Sequence, residues 1–159
     1  MHIRNINFTN SAKIAFQGQK ENENLKKAAD LCNALFPRTL PQNTSSNRIN
    51  TNDMYIYSNM NLITKALENS AKDFIEAEDI DMGSVIVSKM VPAKIKRILE
   101  KGITNPKTPN NTFWKNAIND ITNRLNSVKT KLEEHSDYLL KKYAEINNLK
   151  IKEEFLKTP

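Results

Sequence analysis

The sequence predicts an all-α fold, a four- to five-helix bundle with a long C-terminal helix, on three observations. Trp114, Ile118, Ile121, Leu125, Val128 and Leu132 follow one another at alternating spacings of four and three. That heptad run puts one apolar seam on a single helix and asks for other helices to cover it. Shorter stripes of helical spacing recur upstream, each bounded by polar or proline-containing segments. The chain also holds only three glycines in 159 residues (Gly18, Gly83 and Gly102). So few argue against a glycine-rich phosphate loop, a Rossmann turn or a many-turned all-β fold. The length suits one domain with a real core.

Residues 1–19 read as a flexible N-terminal arm. Ile6 and Phe8, then Ile14 and Phe16, alternate with polar residues around Thr9, Asn10 and Ser11. An isolated hairpin of that size is marginal in water, so short docking elements on a flexible arm are the better reading. Residues 20–159 then form a single helical domain. Glu21 or Asn22 opens a first helix with Leu25, Ala28, Cys32 and Leu35 on one face, and Pro37 ends it. Residues 37–52, polar and carrying two prolines, form a linker. Thr51 or Asn52 caps a second helix with the seam Ile56, Met60, Ile63, Leu67, Ala71 and Phe74. Acidic residues from Glu76 to Asp81 oppose the helix dipole and predict an end near residue 78. Two short helices are expected next, one over residues 84–90 and one from Pro92 to Lys101, because proline suits a first helical turn. Gly102, Pro106 and Pro109 stop the chain there, and Asn110 to Thr112 offer a cap for the final helix, expected to run to about residue 150. Along it the seam continues past His135 through Leu139, Ile146 and Leu149, with His135 and Lys142 as polar interruptions. A bend or solvent exposure near Ser136 accounts for them simply.

The net charge of +6 is uneven: +4 over residues 1–51, −5 over 52–81, +5 over 82–109 and +2 over 110–159. The acidic segment followed by a basic one fits two helices packed with paired rims, or else a basic face free for an anionic partner. In the heptad register the flanking e and g positions carry Lys115, Lys129, Lys150, Arg124, Lys131 and Lys152, with Glu145 the one acidic exception. Mostly like charges disfavour a parallel homodimeric coiled coil and favour antiparallel packing against the chain's own acidic helix. Beyond that, the oligomeric state is open.

Lys94, Arg97 and Lys101 share one face of the basic segment. The run Glu100-Lys101-Gly102-Ile103-Thr104-Asn105-Pro106 resembles the end of the recognition helix in repressor-type helix-turn-helix proteins. The resemblance implies DNA or RNA contact through Lys94, Lys96, Arg97, Lys101 and Lys107, with lysine and arginine on phosphates and base edges. The same residues also make an ordinary glycine-capped helix end with a proline stop.

Catalytic, cofactor and metal residues are expected to be absent. The chain has no P-loop, no nucleophile elbow and no Cys/His constellation, and its only histidines are His2 and His135. Asp79, Asp81 and Gly83 match a fragment of a calcium loop, but Met90 stands where the closing glutamate belongs. The lone Cys32 lies on the apolar face of the first helix, where a buried thiol in a reducing compartment is expected. No stretch is apolar enough for a membrane span or a signal peptide, which predicts a cytoplasmic protein. Export by a signal-independent route, with the arm as its address, is the alternative. The functional expectation is therefore a non-enzymatic interaction or adaptor protein, its partner another protein, with nucleic acid as the runner-up. Phe8, Phe16 and Trp114 are the candidate interface residues; Trp114, with Phe113, could equally plug the bundle end as core.

Overall fold

The computed structural model describes residues 20–34, 36, 51–100 and 112–157, and every element in that set is helical. The side chains of residues 51–53, 56, 113, 114 and 151–157 lie outside the description, as do the N-terminal arm, residues 37–50 and residues 101–111. We name the helices α1 (residues 20–36, Leu35 outside the description), α2 (Thr51–Glu76), α3 (Met82–Ile98) and α4 (Thr112–Lys157).

Each apolar stripe becomes one side of a shared core. Leu25, Ala28, Ala29, Cys32 and Phe36 come from α1; Met60, Leu67, Ala71 and Phe74 from α2; Val85, Val87, Val91, Ile95 and Ile98 from α3. From α4 the seam residues Ile118, Ile121, Leu125, Val128, Leu132 and Leu139 close it. Burying such side chains is worth roughly 1.5–3 kcal/mol each, which is what holds these stripes inward. Two of the buried hydroxyls bond to their own helix. Thr64 Oγ1 donates to the Met60 carbonyl at 2.8 Å, and Ser88 Oγ to the Val85 carbonyl at 2.8 Å.

α2 ends at Glu76, close to the position its acidic run predicts. The Ala77 amide donates to the Asp73 carbonyl at 3.0 Å, and Glu78 then adopts φ 52°. That left-handed turn ends the helix, at a cost of about 1 kcal/mol for a residue with a Cβ. Asp81, extended at φ −131°, caps α3 by accepting from the Ser84 amide at 2.7 Å. A Cβ on Gly83 would come within 3.2 Å of that Asp81 Oδ1, which favours glycine beside the cap.

Four expectations need correcting. The two short helices are one: α3 runs unbroken through Pro92, which is buried among Ser88, Val91 and Ile95. An interior proline costs a helix about 3 kcal/mol. Burial of the stripes on both sides of Pro92 outweighs that cost. Second, α2 and α4 are parallel, not antiparallel. Arg124 meets Asn61 and Glu68, and further along both helices His135 meets Phe74. Third, α4 continues to Lys157, well past residue 150. Fourth, Ser136 is buried, so solvent exposure at that point does not account for the polar interruptions of the seam.

α4 is the common element of the packing, in contact with both α2 and α3. At 1.5 Å per residue its 46 residues span about 69 Å, against about 39 Å for the 26 of α2. The helices laid on it cannot cover its whole length. None of the described helices is long and apolar enough to cross a membrane.

Candidate interaction surface

Three surfaces compete for a functional role, and the first is the basic face of α3. Lys94 Nζ lies 2.6 Å from Asp30 Oδ1 of α1, with only a quarter of its side chain exposed. Lys96 pairs within its own helix with Glu100 at 4.0 Å, both side chains largely exposed. Arg97 is exposed and carries no ion pair among the described residues. Lys101 and Lys107 lie outside the described residues. The face therefore offers Arg97 and a weakly held Lys96, while Lys94 is engaged in tying α3 to α1. The rim pairing expected between the acidic and basic segments is likewise redistributed. The basic segment pairs with α1, and acidic α2 pairs with α4 through Arg124.

The second surface is a pair of grooves beside α4. One, of about 640 Å³, lies between α2 and α4 and is lined by Lys65, Glu68, Lys72, Arg124 and Lys131 among others. Its charged centre is satisfied internally. Arg124 donates to Glu68 Oε1 at 2.5 Å, to Asn61 Oδ1 at 2.5 Å and to Asp120 Oδ2 at 3.4 Å. The hydrogen bond with Glu68 leads in raising the guanidinium pKa further. The other groove, of about 390 Å³, lies between α3 and α4, where Ser88, Pro92, Ala93 and Ser136 keep the side chains small. Lys129 is paired there with Glu133 at 2.9 Å. Both grooves are lined by serine, lysine and glutamate side chains, among them Ser127 and Glu68 in the first and Ser136 and Glu133 in the second. Among the described residues no three His, Cys, Asp or Glu side chains are placed to hold a metal ion.

Isolated titratable groups outside the grooves have structural surroundings. Burial pushes the Cys32 thiol up to about 12, so it stays neutral and unreactive. Asp79, raised first by burial and then by the charge of Asp81, sits in the turn before the α3 cap. His135 is half-buried, edge-on to Phe74 at 5.6 Å and stacked on Tyr138 at 5.8 Å. Burial lowers its pKa below the ordinary 6.5.

The third surface is the C-terminal half of α4, where the seam comes out into solvent. Leu139 is fully buried, Ile146 is 38% exposed and Leu149 is 60% exposed. Tyr138 is exposed on the flank of the seam and Leu140 on another side of the helix, and Tyr143 still packs partly on the core. Spacing alone put Ile146 and Leu149 on the covered seam. No spacing signal separates them from the covered part of the seam. Of the interface residues expected from sequence, Phe8 and Phe16 lie outside the described residues. Trp114 stands in the first turn of α4, its side chain outside the description. No protein-family model matches the chain, and neither a curated protein nor a solved structure does.

Proposed function

We propose that the protein is a non-enzymatic interaction protein, a helical bundle that binds another protein through the emergent half of the α4 seam. The observation that supports this is the passage of one apolar stripe from fully buried Leu139 to largely exposed Leu149 on the same helix. An apolar face in water is held there by selection or by a partner that covers it. Ile146 and Leu149, flanked by Lys142, Glu145 and Lys150, give the core-and-rim composition of a helix-recognition surface. A reducing, cytoplasmic setting belongs to the same reading, supported by a buried and neutral Cys32. The basic face of α3 is the weaker candidate, since Lys94 is committed to Asp30.

Affinity capture from native lysate tests the reading, with both protein and nucleic acid identified in the eluate. The wild-type chain is compared with a variant carrying Ile146→Glu and Leu149→Glu. Both positions are exposed and outside the core, so the variant keeps its fold. Proteins retained by the wild type and lost from the variant are the expected result. An eluate unchanged by the substitutions, or one dominated by nucleic acid, overturns it.

A further inference from the structure

We infer that the emergent half of α4 is a self-association face on which a second copy of this chain packs antiparallel. The inference rests on reading that half as a binding face, and it names the occupant. In the heptad register that holds Leu132 and Leu139 in the core, positions 146 and 153 repeat the role of Leu139. Positions 142, 149 and 156 repeat that of Val128. An antiparallel pair brings each member of the first set against a member of the second. With the two-fold axis between residues 147 and 148, Ile146 of one copy meets Leu149 of the other, and position 142 meets position 153. Those two are Lys142 and Glu153. The flanking position 145, a glutamate, comes beside position 152, a lysine.

Every polar interruption of the emergent seam thus finds an opposite charge on the second copy, and the symmetry makes each pair occur twice. A parallel pair does the reverse, setting Lys142 on Lys142 and Glu153 on Glu153. Within one chain Lys142 pairs with Glu145 at 3.5 Å and lies 6.0 Å from the centre of the Tyr138 ring, exposed contacts of the kind that exchange readily for an intermolecular pair. The segment beyond the buried Leu139, residues 140–157, is about 27 Å long, so the interface is small and its affinity modest.

Sedimentation equilibrium of the purified full chain, from about 1 to 500 µM, tests the pairing. A concentration-dependent dimer is expected, with Ile146→Glu reducing it to monomer at every concentration. Lys142→Glu and Glu153→Lys should each weaken the dimer about tenfold, because two symmetry-related pairs turn repulsive at once. The double variant should restore wild-type affinity, which only an antiparallel register allows. Circular dichroism confirms that each variant is folded. A wild-type chain that stays monomeric throughout, or a double variant as weak as the singles, overturns the self-association. The adaptor reading would survive that failure if lysate capture still depended on Ile146 and Leu149. It would fail in turn if the chain dimerised and captured nothing else.

Discussion

His135 occupies a seam position where the heptad asks for an aliphatic residue, and the fold accommodates it by lining it with rings. Phe74 of α2 meets it edge-on and Tyr138 stacks beside it, so the imidazole gains apolar contact at the cost of hydration. Desolvation disfavours the charged form, and its folded pKa lies below the ordinary 6.5. The unfolded chain therefore binds a proton more readily than the folded one. Stability is fully present above pH 6.5 and is lost as the pH falls from there toward the folded value. Urea midpoints measured from about pH 7.5 down to about pH 5 should drop more steeply for the wild type than for His135→Leu. Parallel curves would mean that the histidine titrates alike in both states. Its neighbour Ser136 shows the opposite economy. The hydroxyl is buried and finds no hydrogen-bond partner among the described residues, and its small size lets α3 lie close to α4.

At the scale of elements, the decisive quantity is how far each helix reaches along α4. The stripes of α1, α2 and the first half of α4 were legible because periodicity reports which side of a helix is apolar, and the core uses those sides. Met60, Leu67, Ala71 and Phe74 are buried as their spacing requires. Periodicity says nothing about what covers a stripe, so Ile146 and Leu149 looked the same in sequence as Ile118 and Leu125. Direction was equally hidden, because a seam is apolar whether its neighbour runs parallel or antiparallel. Pro92 misled for a different reason: its preference for a first turn is local, while the burial that holds it mid-helix is tertiary. Reach can be tested by truncation. A chain ending at Ala144 keeps every buried core residue and should melt within a few degrees of the wild type, at about 1 µM where self-association is negligible. One ending at Tyr138 loses the fully buried Leu139, a deletion worth about 2–5 kcal/mol, and should melt far lower. Equal losses from the two truncations would mean that residues beyond Ala144 contribute to the core.

For the whole molecule, one continuous cluster drawn from all four helices implies one cooperative unit. No described helix has a private core. Cys32 and Phe36 of α1 belong to the same cluster as Phe74, Ile95 and Leu125, and the charged ties run between helices too, from Asp30 to Lys94 and from Glu68 to Arg124. Leu125 is fully buried in the stretch of α4 that lies between Arg124 and Val128, beside the α2 groove. Replacing it with alanine removes about three methyl or methylene groups from a packed site and should cost about 2–5 kcal/mol. If the core is shared, that cost falls on all four helices together. Hydrogen exchange read by mass spectrometry should then show the slowest amides of α1, α2, α3 and the buried half of α4 accelerating by a common factor in Leu125→Ala. Amides beyond residue 146 should exchange at the same rate in both proteins, because no core contact protects them. A variant in which α1 kept its protection while α4 lost it would show two units where the packing makes one, and the spine would be a spine for only part of the fold.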